Sequence, residues 1–401
     1  VDSGGVWTGV DQLDVSGLTD ASGAPVNTAD VTVSGTDDAV LTFPNGESIT
    51  LVGVPASTFS DPDALEAIGI PQPNYIVEGT GNDDLINDTY FNDPEGDMIN
   101  NNDHIDGSNN DSVQAGAGND TVFSGAGDDT VDGGTGDDSL NTGDGNDEVI
   151  AGDGNDNIIA GDGDDLVNGG SGNDLTFGQA GNDTVFGEGG ADIINGGIGD
   201  DSLDGGADND TFVVEETFGN DTIVGGESVT TGTDEDTITF NTVVVTDPLD
   251  VVFSADETGT ITDGTDTIAF SEIETLELAN GNDTVDGTAT ANGIDVETKG
   301  GDDSIDGGSG DDTIDAGADN DTIAGGAGAD SIIAGSGDDQ IEVAQGDTVS
   351  GGDGDDTFTL ADLGETGTGD IFINAGEGNE TNGDTLDLAG QADRTTLTIT
   401  D

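Results

Sequence analysis

An aspartate recurs every nine residues, twelve times without a miss, from Asp111 through Asp120 and Asp129 to Asp201 and Asp210. A glycine stands two residues before most of them, as at Gly181, Gly190 and Gly199, and a large apolar residue stands two residues after. Val113, Val122, Val131, Leu140, Val149, Ile158, Val167, Val185, Ile194, Leu203 and Phe212 fill the apolar slot, and Thr176 alone breaks the row. The frame reads G-G-x-G-x-D-x-U-x, with U apolar. A fixed period of this kind belongs to arrays in which each repeat buries its apolar side only against its neighbours.

The x-U-x segment predicts a short stub of strand, and the six residues before it are turn formers that tolerate positive φ. Strand, turn, strand, turn makes an eighteen-residue coil, and coils stacked about 4.8 Å apart place alternate repeats on opposite edges of a flattened right-handed solenoid. Asp111, Asp129, Asp147, Asp165, Asp183 and Asp201 then line one edge; Asp120, Asp138, Asp156, Asp174, Asp192 and Asp210 line the other. Carboxylates at that spacing repel by about 1 kcal/mol per pair in water and by about 3–4 kcal/mol at a protein surface. A divalent cation between turns reverses the sign. Calcium, which takes six to eight oxygens from carboxylates and carbonyls, suits such turns better than the small octahedral magnesium ion.

Charge makes the same demand. The chain has 401 residues, 89 acidic against 2 basic, and a formal charge of -87. An unliganded compact state of that charge repels itself. With only Lys299 and Arg394 as basic residues, nucleic acid is excluded as a partner, as are anionic membranes. No apolar run approaches the length that spans a bilayer, so no membrane insertion is expected. The chain opens without a basic, apolar-centred leader, and Val1 is read as a processed or trimmed start. Absence of cysteine excludes disulfides and thiolate metal sites. With 70 Gly and few aromatics, the composition by itself matches a disordered chain. The strict period opposes that reading, and the two together predict a chain that folds on binding cations.

Residues 1–75 hold alternating stretches, Val40–Phe43 and Ser48–Val52, around Pro44-Asn45-Gly46, which predict a hairpin in an N-terminal β unit. Asp61–Ile70 reads as a short helix capped by Asp61. Residues 76–226 form the first array, opened by Gly79-Thr80-Gly81-Asn82-Asp83-Asp84-Leu85. Residues 227–280 drop the motif and read as an inserted sheet or as wider coils. Residues 281–360 form a second array with an isolated repeat at Asp283, a regular run from Asp303 to Asp339, and a one-residue deletion that shifts the phase to Asp347 and Asp356. Residues 361–401 read as a C-terminal β cap or tail. Phe123, Phe177 and Phe186 flank the inward slot and are expected to face outward.

Enzymatic signatures are missing. Paired carboxylates such as Asp128-Asp129 and Asp137-Asp138 recur from turn to turn, so pairing says nothing about glycoside hydrolysis. His104 is the only histidine, which excludes a two-histidine metal centre and leaves it a surface-loop residue. Trp7 is read as packing within the N-terminal unit. No catalytic role is expected.

These nonapeptides resemble the RTX family of secreted Gram-negative proteins, whose glycine- and aspartate-rich repeats form a calcium-bound parallel β-roll. The resemblance covers residues 79–87, 107–214 and 299–358. It implies an all-β, right-handed parallel β-roll with calcium-binding turns, interrupted by irregular β insertions. It also implies type I secretion, folding outside the cell or on its surface, and an export signal near the C-terminus, of which Gln391–Asp401 is read as the end or a cut site.

The side-chain ligands it implies are Asp83, Asp111, Asp120, Asp129, Asp138, Asp147, Asp156, Asp165, Asp174, Asp183, Asp192, Asp201, Asp210, Asp303, Asp312, Asp321, Asp330, Asp339 and Asp356. Carbonyl oxygens are implied from Gly116, Gly118, Gly125, Gly127, Gly134, Gly136, Gly143, Gly145, Gly152, Gly154, Gly161, Gly163, Gly170, Gly172, Gly308, Gly310, Gly326 and Gly328. Gln179 and Glu188 replace a second glycine, Asp208 and Asp319 a fourth, Thr176 the apolar residue, and Lys299 interrupts a turn; these are expected to bind weakly or lack an ion.

Two functional classes follow: a calcium-stiffened extracellular structural or adhesive element, with other copies of itself as partners in end-to-end assembly, or the secretion and stability module of a larger secreted enzyme or toxin.

Overall fold

The computed structural model describes residues 31–34, 36, 39–42, 48–51, 57, 76–87, 99, 109–215, 217–226, 235–241, 245, 247–361, 371–376 and 383–387. The helix expected at 61–70, Trp7, His104 and the tail 391–401 lie outside these residues. Among the described residues there is no α-helix, and the protein is an all-β parallel solenoid. The chain divides into two units, Val1–Gly170 and Ser171–Asp401.

In the first unit, Ala39–Thr42 pairs antiparallel with Thr32–Ser34 and with Ser48–Leu51, the second pairing joining the two stretches of the expected hairpin. The solenoid follows. On one side Val77–Glu78, Ser112–Ala117, Thr130–Thr135 and Glu148–Asp153 stack in parallel; on the other, Leu85–Ile86, Thr121–Ala126, Ser139–Asp144 and Asn157–Asp162 do the same. The register is the eighteen-residue coil: Val113 lies beside Val131 and Val131 beside Val149, while Val122, Leu140 and Ile158 align on the opposite side.

The strands are twice as long as the three-residue stubs expected. Thr130–Thr135 runs through Gly133 and Gly134, and pairing resumes at Gly134 and Thr135 against Gly152 and Asp153. Gly134 turns the chain at φ +101°, where a Cβ would come 2.0 Å from the Gly116 carbonyl oxygen. Only a residue without a side chain can corner there while keeping its backbone in the ladder. Two inward positions follow from this longer strand: the apolar slot, and the first motif position two residues on, where Ala115, Ser124, Thr142, Ala151 and Ala160 are fully buried.

In the second unit one wall is unbroken from Leu175–Ala180 to Phe372–Asn374, each strand parallel to the next and passing through Thr237–Phe240, Thr275–Glu277 and Asp295–Glu297. The other wall is spliced. Thr267–Ser271 lies parallel to Thr222–Val224, Thr258–Thr262 turns back antiparallel to it, and Asp250–Ala255 turns again to meet Thr284–Asp286 in parallel. The region without the motif is thus an inserted meander on one wall and a continued coil on the other. Edge-to-face rings, Phe253 on Phe270 and Phe218 on Phe240, thicken the core there. The one-residue deletion is absorbed before Asp347, since Ser331 pairs with Thr348 and Gln340 with Thr357.

Inward and outward neighbours on these strands separate cleanly. Ile158 is fully buried and Ile150 is 44% exposed. Ile158→Ala is expected to cost about 2–5 kcal/mol of urea-unfolding stability in millimolar calcium, and Ile150→Ala less than about 0.5 kcal/mol.

Candidate metal centres

Each sixth-position aspartate turns its side chain into the bend that its own repeat makes. The N–H of Asp111 donates to Oδ1 of Asp129 at 2.7 Å, that of Asp120 to Asp138 at 2.7 Å, and that of Asp129 to Asp147 at 2.7 Å. In the second unit Asp174 donates to Asp192 and Asp192 to Asp210, both at 2.8 Å. An inner ladder of carboxyls thereby ties coil to coil. It consumes one oxygen of each.

The other oxygen is left over. Oδ2 of Asp120, Asp129, Asp138 and Asp147 in the first unit, and of Asp192, Asp201, Asp283, Asp303, Asp312, Asp321, Asp330, Asp339 and Asp356 in the second, is buried and accepts no hydrogen bond. Its surroundings are further oxygens. A Cβ built on Gly187 would fall 2.4 Å from Asp192 Oδ2 and 2.4 Å from the Gly205 carbonyl oxygen; on Gly307 it would fall 2.4 Å from Asp312 Oδ2 and 2.6 Å from the Gly325 carbonyl oxygen. Carboxylate and carbonyl of adjacent coils therefore face one space. Among the described residues no three acidic side chains gather at one point. A cation here would take one carboxylate from each turn and the rest of its shell from carbonyls, the hard-oxygen donor set of calcium.

Burial decides the electrostatics. It pushes the carboxyl pKa up from 3.8 to about 7 in Asp129 and Asp321 and to about 6 in Asp138 and Asp339, against the lowering effect of the neighbouring amide; adjacent aspartates raise it further. The repulsion between stacked carboxylates expected from the spacing is present, and burial is the larger cause of the raised pKa values. Each Oδ1 is turned onto an amide of the preceding coil.

A second ladder runs outside the first and in the opposite sense. The N–H of Asp128 donates to Asn110 Oδ1 at 3.0 Å, that of Asn146 to Asp128 Oδ1 at 3.1 Å, and that of Asp164 to Asn146 Oδ1 at 3.1 Å. The second unit repeats the pattern through Asn282, Asp302, Asn320 and Asp338. Alternating Asn with Asp halves the charge along this exposed row.

The candidates from Asp111 onward all stand in the inner ladder, being buried at their turns. Asp83 does not. It accepts the Asn119 N–H in the outer ladder, whereas the Asp84 N–H donates to Asp120 Oδ1 and the buried Ile86 fills the apolar slot. The register therefore moves the sixth position to Asp84, whose Oδ2 already accepts the Thr80 N–H and hydroxyl at 2.7 Å each.

Asp221, Asp236, Asp283, Asp347, Asp384 and Glu274 also occupy ladder positions outside the candidate set. The nine-residue count misses most of them, but an acidic residue followed by Thr and then Val, Ile or Leu marks each one. Asp347 is closed by the Ala344 N–H on Oδ2 at 2.5 Å. Leu249 and Ile294 donate to the ladder without a carboxyl of their own.

The glycines implied as carbonyl donors lie at left-handed φ in the described turns, Gly328 excepted. Where other residues replace them the bend persists: Gln179 at φ 80°, Glu188 at 75°, Asp208 at 76°, Asp319 at 78° and Lys299 at 65°, each against a steric cost of about 1–2 kcal/mol. The Lys299 ammonium lies 2.5 Å from Glu297 and 3.6 Å from Glu277, a tethered cation near the coil where Ile294 lacks the carboxyl.

The family model for the RTX calcium-binding nonapeptide repeat (4 copies) matches residues 105–140, 141–175, 177–212, 295–323, 316–347 and 344–362. No curated protein matches the chain.

Asp138→Asn is expected to remove one bound calcium and, with calcium at ten times the dissociation constant, about 1.4 kcal/mol of stability. Asp84→Asn, its Oδ2 already held by Thr80, is expected to leave the calcium count unchanged; titration calorimetry reads both. A pH dependence follows from the raised pKa values. The ion-free fold holds protons more tightly than the unfolded chain does, so the stability these carboxyls contribute is complete below about pH 4 and is lost as pH rises through about 6 to 7. In EDTA the far-ultraviolet β signal is expected near pH 4 and absent near pH 8, while calcium affinity changes in the reverse direction. A pH-independent signal in EDTA contradicts this account.

Proposed function

Taking as premise that the chain carries RTX calcium-binding nonapeptide repeats, we propose that it is a secreted, non-catalytic structural or adhesive element, folded and stiffened by calcium outside a Gram-negative cell. The observation behind this reading is the row of buried Oδ2 atoms without a donor. Each is a charge that a protein interior tolerates only when paired. Calcium supplies the missing partner, and many modest sites sum to a large effect. With free calcium at ten times the dissociation constant, ten independent sites contribute about 14 kcal/mol, comparable with the whole stability of an ordinary domain.

Such a chain stays unfolded where calcium is scarce and folds where it is abundant, which suits passage through a type I secretion channel before folding. Among the described residues no helix is long and apolar enough to cross a membrane. A structural role agrees with the composition: a single histidine, no cysteine, and acidic residues spread from turn to turn, with no group of three at one centre among the described residues. End-to-end assembly is supported by the last strand of that wall among the described residues, Phe372–Asn374, which pairs with Thr348–Asp353 and carries Phe372 at 61% exposure. An apolar residue on a terminal strand invites a further strand.

Circular dichroism and light-scattering chromatography, each in millimolar calcium and in EDTA at neutral pH, test both parts. A β signal and a concentration-dependent rise in mass are expected only with calcium. An unchanged signal in EDTA overturns the calcium dependence, and a monodisperse monomer in calcium overturns the assembly.

A further inference from the structure

At the first motif position the side chain points inward, against the carboxyl of the aspartate five residues on. Glycine or alanine fills this position in most turns, as at Gly133, Ala151, Gly187, Ala316 and Gly325, and brings no side-chain oxygen. Three turns differ. Ser124, Thr142 and Thr298 are fully buried there, and their hydroxyls lie against the carboxyls of Asp129, Asp147 and Asp303.

Each hydroxyl also reaches the neighbouring coil. Thr142 Oγ1 donates to the Ala160 carbonyl oxygen at 2.8 Å, Thr298 Oγ1 to that of Ala316 at 2.9 Å, and Ser124 Oγ to that of Thr142 at 3.1 Å. A hydroxyl has one hydrogen. Spent on the carbonyl, it leaves Oδ2 of Asp147 and of Asp303 without a donor, although these residues are only 2% exposed. Carboxylate, hydroxyl and carbonyl oxygens thus crowd one dry place with a single hydrogen among them. At Gly133 the equivalent space is bounded by the Asp138 Oδ2 and Ala151 carbonyl oxygens, 2.8 and 2.6 Å from the position of a Cβ, and by Leu140 Cδ1 at 3.3 Å.

We propose that the hydroxyl oxygens of Ser124, Thr142 and Thr298 are additional calcium ligands, giving the turns of Asp129, Asp147 and Asp303 one more protein oxygen than the glycine and alanine turns. This rests on the calcium reading above. Calcium takes six to eight oxygens, and a shell incomplete in protein atoms is finished by water. A hydroxyl already held in place by its bond to the next coil replaces one such water without further ordering, so these three turns bind most tightly and fill first. Ser124 and Thr142 lie in the first unit and Thr298 in the second, which gives each unit an early-filling turn.

A crystal structure of the full chain in saturating calcium tests this directly. An ion within about 2.6 Å of Thr142 Oγ1 and of Thr298 Oγ1 is expected. Ions at the glycine turns, such as that of Asp192, with neither threonine hydroxyl closer than about 3.2 Å to an ion, overturn the proposal and leave the calcium reading intact. Ions at no turn overturn both.

Calorimetry provides the second measurement. The combined Ser124→Ala, Thr142→Val and Thr298→Val variant is expected to bind the same number of calcium ions, with the tightest class weakened about threefold to tenfold. The Thr142→Ser and Thr298→Ser pair, which keeps the oxygen, is expected to bind as the parent chain does. Unchanged or tighter binding by the first variant, or weakening by the serine pair equal to that of the valines, overturns the proposal.

Discussion

A carboxyl buried with one oxygen bonded and the other bare is the interaction on which the rest of this structure depends. An amide hydrogen bond to a charged group contributes about 1.5–3 kcal/mol, whereas taking the ion out of water costs several kcal/mol even after relaxation. The amide of the preceding coil therefore orients the carboxylate without compensating its burial. Protonation is one way to close the deficit, and the raised pKa values of Asp129, Asp138 and Asp321 show the protein leaning toward it. A divalent cation is the other, and it leaves the charge in place to bind neighbouring coils together.

Much of this was legible in the repeat. The nine-residue count specified an eighteen-residue coil, an inward apolar row and aspartates at the bends, and the register Val131 beside Val149 agrees with it. The count failed where phase and motif part company. Asp83 has the right distance from a glycine, but burial of Ile86 rather than Leu85 sets the frame one residue later. Asp221 and Asp236 sit at irregular distances because the bends before them are longer, yet each still precedes Thr and Ile and still accepts an amide of the coil before it. Local chemistry at the bend is conserved by the geometry of stacking; the loop length feeding it is not. The six-residue strands were also illegible, because glycine ordinarily signals the end of a strand and here corners without leaving the ladder.

The spliced wall of the second unit shows how much irregularity this plan tolerates. Thr237–Phe240 and Thr275–Glu277 keep the opposite wall in parallel register while a three-stranded meander is taken in. Phenylalanines replace smaller residues in the core at that point, and the inner ladder passes through Glu274 and Ile294 instead of aspartate. Lys299 carries a permanent positive charge close by. The acidic repeat lapses locally, at Leu249 and Ile294, and resumes at Asp303.

The two side-chain ladders, inner and outer, run in contrary senses along every stack. The first coil of a stack and its last are consequently unlike: one offers amide hydrogens where the other offers carboxyl oxygens, and parallel strands admit no twofold axis that would exchange them. A second copy meeting such an end finds complementary chemistry only when it points the same way. Contacts of that kind are head-to-tail, have a direction, and cannot form a twofold-symmetric pair.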